Sequence, residues 1–565
     1  MVRSRADAHG DEIVYRFLLD GEQDELPYAF DELDRQARAL AVRLLQEGQP
    51  GDRVVILMAP GPLFVVAFLA CLYSGLIAVP AFLPDVMNAE RSIPRLRAIA
   101  QDAEAVCILT DDLFVAFRDQ LWAVAPDLAR TPWLLAEEAL TSADPDAWSD
   151  PGITADSIAF IQYTSGSTAL PKGVVLTHAN LLANSELIRL QCDLDGQFTG
   201  VSWLPPYHDM GLIGGVLQPL YQGRPMVLMS PMDFLAKPVR WLDAISRYSA
   251  TASPAPNFAF ELCVRRIPPE QREGLDLSSW RVAFNGAEPI RPSTLDRFDE
   301  AFGPYGWRRE TMLPCYGLAE ATLMVSGHGP EKPTVVTAFD RNALAKGEAR
   351  PVDGDAAFER MVACGTAGPL HDIRIVDPES SAEVGDGDIG EIWLNGPSVG
   401  QGYWGRRRQT KEVFDARLGT GEGPFLRTGD LGFFHDGELY VAGRIKDVII
   451  VRGRNIYPQD IEILAEAVPG VRGGCVAAFA VAAEDGSTDG LAVVAEVNEA
   501  KMGDGHAVVA AIRSAVTEHY QVAPSTVVLI SARTLAKTSS GKVQRNATRR
   551  SMEEGTLDQI LVWPS

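Results

Sequence analysis

The densest concentration of potential chemistry is the run Tyr163-Thr164-Ser165-Gly166-Ser167-Thr168-Ala169-Leu170-Pro171-Lys172. Small side chains leave backbone N–H groups uncovered, hydroxyls add donors, and Lys172 adds a positive charge, a combination that suits a polyphosphate. The GxxxxGK[ST] spacing is absent, so this is not a Walker-type loop. A Gly/Ser run can also be a plain linker. Here an apolar strand (Ser157 to Gln162) precedes it and a helix is predicted from His178, which favours a structured β–loop–α unit. Further along lie Trp203-Leu-Pro-Pro-Tyr-His208, Asn285-Gly286-Ala287-Glu288, Tyr316-Gly317-Leu318-Ala319-Glu320, Thr428-Gly429-Asp430, Gly443-Arg444-Ile445-Lys446 and Thr538-Ser-Ser-Gly-Lys542-Val-Gln-Arg545. Each alone could be an ordinary solvated or structural group.

The elements that must position these residues come from the rest of the chain. At 565 residues it is too long for one core, and two or three domains are expected. A net charge of −24 argues against general affinity for nucleic acid. Seven cysteines without a CxxC pair suit buried thiols in a reducing compartment. The start, Met1 to Tyr15, lacks the apolar core of a secretory signal, so a cytoplasmic location is expected. The apolar run Leu63 to Val79 approaches membrane-spanning length, but Ser74-Gly75 interrupts it and Pro80 closes it. A buried helix, a turn and a buried strand are predicted instead, with no membrane span.

Over the first 150 residues helical stretches (Phe30 to Glu47) alternate with β-branched runs (Arg53 to Met58, Ala105 to Leu109), and Pro225 to Met229 and Arg281 to Phe284 continue the pattern. That alternation predicts mostly parallel sheets with helices on both faces. From about Ala363 strand–turn signals become dense (HDIRIVD, GEIWLNG, the turn His435-Asp436-Gly437, ELYVAG), predicting a small antiparallel or barrel-like region. The remainder holds a helix opening at Pro458, the runs CVAAFAVAA and LAVVAEV, a helix near Gly505 to Tyr520, and TVVLIS, enough for a small α+β domain. The expected fold is therefore α/β. A large N-terminal domain of doubly wound sheets plus a barrel-like region (1–445, with an insertion at about 334–362) precedes a small mobile α+β C-terminal domain (446–565).

Taken in order, the motifs resemble those of the adenylate-forming superfamily of acyl-CoA synthetases, luciferases and amino-acid adenylation domains, over nearly the whole chain. The resemblance implies ATP as substrate and Mg²⁺ as metal. Thr164, Ser165, Gly166, Ser167, Thr168 and Lys172 would form the phosphate loop; Asn285, Gly286, Ala287, Glu288, Tyr316, Gly317 and Leu318 would surround the adenine. Glu320 would hold the metal. Ala319 stands where relatives usually carry Thr. Asp430 would take the ribose, which an aspartate suits because it accepts from both hydroxyls. Val441 and Arg444 would lie beside the nucleotide, Lys446 at a hinge, and Lys542 would be the catalytic lysine. In that chemistry a carboxylate attacks the α-phosphate of ATP, giving acyl-AMP and pyrophosphate. Catalysis is then mainly positioning and cationic compensation by Lys542, Lys172 and the metal.

Within the superfamily, the run from Trp203 to Gly215, the segment Thr334 to Val362 and the run from Arg444 to Ile461 resemble the fatty acyl-AMP ligases. His208 would lie where carboxylate, α-phosphate and acyl tunnel meet. The acceptor implied is an acyl carrier protein on a separate chain. An acyl-CoA ligase, an amino-acid adenylation enzyme and a non-catalytic sensor stay open as alternatives at this point. Two further expectations concern surfaces. Apolar residues of the insertion (Val335, Val336, Phe339, Leu344, Phe358) should pack in part on the large domain and hold the small one away from a CoA-receiving pose. Arg533, Lys537, Arg545, Arg549 and Arg550 should offer local positive charge to an acidic carrier.

Overall fold

The computed structural model describes residues 1–84, 89–164, 171–194, 198–330, 332–352, 357–451, 454–481, 490–538 and 541–564. They gather into two compact units: 1–335 with 362–373 and 393–428, and 336–361 with 374–392 and 429–565. This is a division by packing and does not follow chain order. Residues 429–445 and most of the insertion fall with the C-terminal segment.

The first unit contains two extended sheets. One has the order Trp133–Leu135, Cys107–Thr110, Arg53–Leu57, Ile77–Pro80, Ile158–Thr164, Lys172–Thr177, parallel except for its last pair. The other runs Met312–Pro314, Val282–Gly286, Ala252–Pro256, Gly200–Ser202, Met226–Met229, Ile13–Leu18, Glu25–Ala29, again with one antiparallel edge pair. Buried β-branched runs on both sheets bear out the α/β expectation. The apolar run resolves as helix Pro62–Ser74 and strand Ile77–Pro80, with Phe64 to Cys71 buried around the whole helix. Among the described residues no helix is long and apolar enough to cross a membrane. None of the seven cysteines forms a disulfide; six are buried and Cys315 is half-buried.

The second unit holds most of a four-stranded sheet, Asp372–Val376, Gly390–Asn395, Leu426–His435 and Glu438–Arg444, whose last two strands are antiparallel and joined by the tight turn Asp436-Gly437. It also holds the sheet Val471–Val481, Gly490–Val497, Thr526–Ile530, Gln559–Trp563, packed on helices Pro458–Glu466 and Gly505–Tyr520. The final strand and helix Arg545–Glu553 were not legible in the sequence.

The insertion is built as a strand Val336–Asp340, a helical turn Arg341–Leu344 and a strand Phe358–Val362 paired with the first. Phe339 is buried edge-on against Phe433 and Tyr440, and Leu344 is buried too. Phe358, however, is 43% exposed, and Val335 and Val336 are half-buried. The insertion also bonds to C-terminal residues, an addition to the expected packing. Arg341 Nη2 contacts His519 Nε2 at 2.9 Å, Arg454 Nη2 donates to Asn342 Oδ1 at 3.1 Å, and Asn455 N–H donates to Ala345 O at 3.0 Å.

Candidate active site

Four motifs of the first unit leave the carboxyl ends of parallel strands, the edge at which open α/β sheets bind ligands. Thr164 ends Ile158–Thr164, Trp203 follows Gly200–Ser202, Asn285-Gly286 end Val282–Gly286, and Tyr316 follows Met312–Pro314. Hydrogen bonding carries the alignment onward, since Cys315 N–H donates to Asn285 O at 2.9 Å.

The phosphate loop departs from its predicted setting. Residues 165–170, with Ser165, Gly166, Ser167 and Thr168, lie outside the described residues, but their flanks form an antiparallel hairpin with Thr164 opposite Lys172. Both flanks are thus strands, and the helix begins only at His178. The reason is the run after Lys172: Val174, Val175 and Leu176 are buried in the sheet. Nor is the helix N-terminus left open to phosphate. Thr177 and Asn180 satisfy it as a capping box.

Lys172 Nζ lies 4.9 Å from the centroid of the Tyr403 ring, and Tyr403 Oη donates to Glu320 Oε1 at 2.9 Å. Glu320 sits on the single helical turn Ala319–Ala321, half-exposed. Behind it Gly317 passes so close to the Leu323 carbonyl that a Cβ there would overlap the oxygen. Sequence reasoning missed Tyr403; the one signal was an aromatic in a glycine-rich turn, Gly400-Gln-Gly-Tyr403.

His208 opens the tight segment that continues as a π-helix, Met210–Leu217, a wide helical form often found at functional sites. Gly211 permits it, because a Cβ would overlap the Pro205 carbonyl oxygen. Gln162, on the strand entering the phosphate loop, donates from Nε2 to Tyr207 O at 3.0 Å and so ties that strand to the His208 segment. Trp203 stacks on Phe234 with centroids 3.9 Å apart.

On the adenine side, Asn285 and Tyr316 are buried and Ala287 has φ of 67°. Leu318 is half-buried and its N–H donates to Leu323 O at 2.9 Å. Glu288 accepts from Phe258 N–H and so caps helix Asn257–Arg266, a structural task beside the one expected of it.

In the second unit Asp430 and Arg444 are direct cross-strand partners, with Nε to Oδ1 at 3.2 Å; Arg444 is 63% exposed at its side chain and Asp430 only 10%. Val441 pairs with Gly432 next to a bulge on the same ribbon. Lys446 is exposed in the turn Ile445–Asp447. Lys542 is carried by a small hairpin. Thr538 N–H donates to Lys542 O at 2.8 Å, and Lys542 N–H donates to Thr538 Oγ1 at 3.0 Å.

Arg545 is not a docking residue. It is bidentate on Glu462 (2.7 and 2.8 Å) and reaches Asp447 Oδ2 at 3.1 Å, with its side chain only 20% exposed. Burial opposes its charge, but the two carboxylates outweigh burial and raise its pKa. Lys537 Nζ donates to Cys475 Sγ at 3.2 Å, and Lys537, Arg533, Arg549 and Arg550 are all exposed residues.

Among the described residues no three His, Cys, Asp or Glu side chains form a metal cage. A lone half-exposed carboxylate still fits Mg²⁺, which commonly takes one or two carboxylates plus substrate phosphates.

A family model described as AMP-binding enzyme matches residues 2–404. The chain is 44% identical over 557 residues to the medium-chain-fatty-acid–[acyl-carrier-protein] ligase JamA of Moorena producens, covering 97% of this chain and 93% of that one. It is 37% identical to the long-chain-fatty-acid–AMP ligase FadD32 of Mycolicibacterium smegmatis, covering 98% and 93%. The crystal structure of a fatty acyl-adenylate ligase from L. pneumophila, in complex with acyl adenylate and pyrophosphate, superposes with a TM-score of 0.76 at 38% identity, covering 100% of this chain and 96% of that one.

Proposed function

This chain belongs to the AMP-binding enzymes and, within them, to the fatty acyl-AMP ligases, and from that membership we propose that it activates a fatty acid with ATP and passes the acyl group to the phosphopantetheine thiol of an acyl carrier protein. The observation that carries the reading is the gathering of four motifs at the carboxyl ends of parallel strands, with Lys172 and Glu320 joined through Tyr403.

In the first half-reaction a fatty-acid carboxylate oxygen attacks the α-phosphorus of ATP. The new O–P bond forms as the bond to pyrophosphate breaks. Two anions must approach, so the barrier falls chiefly through fixed positive charge. Lys542 meets the carboxylate and α-phosphate oxygens, and Lys172 faces the departing pyrophosphate. His208 stands at the acyl entrance, and Asp430 with Arg444 holds the ribose. Glu320 and the phosphates would hold Mg²⁺, which when bound offsets charge on the leaving group. In the second half-reaction the thiol sulfur attacks the acyl carbonyl, AMP leaves with the electron pair, and the thiol proton passes to solvent.

The reacting bodies are 1–445 and 446–565, turning at Lys446, in a protein of the cytoplasm. Lys446→Pro restricts φ and should slow transfer more than adenylation; equal loss in both would remove the hinge. The insertion restrains the C-terminal segment through Arg341 and Asn342, so that free CoA, with little docking area of its own, is a poor acceptor.

The test is pyrophosphate release across a fatty-acid length series, followed by transfer to a phosphopantetheinylated carrier and to free CoA. Release with fatty acids, transfer to the carrier and little acyl-CoA are expected. Efficient acyl-CoA synthesis by the intact protein would move the assignment to the acyl-CoA ligases. Pairing Arg341→Ala with Asn342→Ala should leave adenylation intact and permit some CoA ligation; unchanged CoA inactivity would assign its exclusion to the CoA surface instead.

A further inference from the structure

Residues 397–404 form a strap that touches both charged sides of the phosphate site. Along one side it runs as an extra strand beside Lys172–Thr177. Gln401 N–H donates to Val175 O (2.9 Å), Val175 N–H to Gly402 O (2.9 Å) and Trp404 N–H to Gly173 O (2.8 Å). Along the other it grips the turn that carries Glu320. Gly400 N–H donates to Glu320 O (2.8 Å), Thr322 Oγ1 to Ser398 O (2.6 Å) and Ser398 Oγ to Ala321 O (3.0 Å). The single Ser398 hydroxyl proton is thereby committed, so His371 Nε2, at 2.7 Å, is the donor to that oxygen.

Tyr403 occupies the middle of this strap. It is 8% exposed, lies edge-on to Phe414 at 5.2 Å, and its N–H donates to Thr410 Oγ1 at 2.9 Å, so its ring has a set direction. A ring needed only for packing could be phenylalanine; here the hydroxyl is aimed at a carboxylate. A phenol donates one hydrogen bond without cancelling the carboxylate charge, and an aromatic face attracts an ammonium without cancelling its charge.

We propose that Tyr403 is a positioning residue, holding the Glu320 carboxylate through its hydroxyl and the Lys172 ammonium through its ring, so that both groups are set in place before nucleotide and divalent cation arrive. The inference rests on the reading of Lys172 and Glu320 given above.

The experiment uses the full chain with a non-hydrolysable ATP analogue and Mn²⁺ as probe, reading free Mn²⁺ by electron paramagnetic resonance. Tyr403→Phe should weaken Mn²⁺ binding about tenfold or more, the scale of one hydrogen bond to a charged group, with metal-free analogue binding and Tm nearly unchanged. Tyr403→Leu, which also removes the ring, should weaken metal-free analogue binding as well. Unaltered Mn²⁺ affinity in Tyr403→Phe would overturn the proposal, and so would equal loss of Mn²⁺ binding, metal-free binding and Tm, which marks packing alone. A wild-type chain that binds neither the analogue nor Mn²⁺ would overturn the site reading itself, and this role with it.

Discussion

In the first unit the site is shaped by backbone and by absent side chains: Gly317 and Gly211 have no room for a Cβ, and strand ends set where Thr164, Asn285 and Tyr316 stand. In the second unit charge does the holding. Arg545 joins the Lys542 hairpin to Asp447, next to the expected hinge, and to Glu462; Arg444 holds Asp430; Arg341 and Arg454 tie the insertion to the C-terminal segment. Steric positioning is stiff, because close-packed atoms resist small displacements. Ion pairs can exchange partners as geometry changes. A nucleotide pocket gains from the first kind of support, and the C-terminal segment, under the rotation at Lys446 proposed above, would gain from the second.

The comparison can be broken most forcefully at Lys542. If that lysine supplies compensating charge, Lys542→Ala should lower acyl-AMP formation by roughly two to three orders of magnitude, the scale of losing a key electrostatic contact. Nucleotide binding should change far less, and near wild-type adenylation would remove Lys542 from the chemistry. Next is Arg545→Met, which strands two half-buried or buried carboxylates and should cost about 3 kcal/mol. Hydrogen exchange should rise in the Lys542 hairpin and helix Pro458–Glu466; unchanged protection there would mean that the ion pairs do not hold the segment.

In the first unit, Gly317→Ala forces a methyl group against a carbonyl and should cost about 2 kcal/mol by overpacking. A Tm equal to wild type would show that this turn yields, contrary to the stiffness argued for it. The smallest effect concerns His371, whose pKa burial lowers to about 4 from the ordinary 6.5. Its folded pKa is depressed, so the unfolded chain binds the proton more readily between those values. Stability from this group is therefore complete above about pH 6.5 and is lost progressively as pH falls toward 4. His371→Gln should flatten that part of the Tm profile; an unchanged slope would assign the acid sensitivity to other groups.

Much of this was legible in one dimension. Apolar runs bounded by Gly and Pro located the helix Pro62–Ser74 and strand Ile77–Pro80, and the order of short motifs identified the family. The reading failed where a local pattern had two solutions. Lys172 to Thr177 could lead straight into a helix, yet its apolar residues found a sheet edge to fill. Arg545 looked like an exposed cation among others, because nothing near it in sequence announces Glu462.

By itself the sequence determined which chemical groups are present and in what order, since periodicity, turn residues and motif spacing are local properties written along the chain. Only the tertiary structure decided which groups share a partner. Tyr403 meets Lys172 and Glu320 across long stretches of chain, and Arg545 meets Asp447 and Glu462 in the same way. Such meetings follow from sheet order and packing, which are settled by burying the whole apolar surface at once and not by any residue's neighbours in sequence.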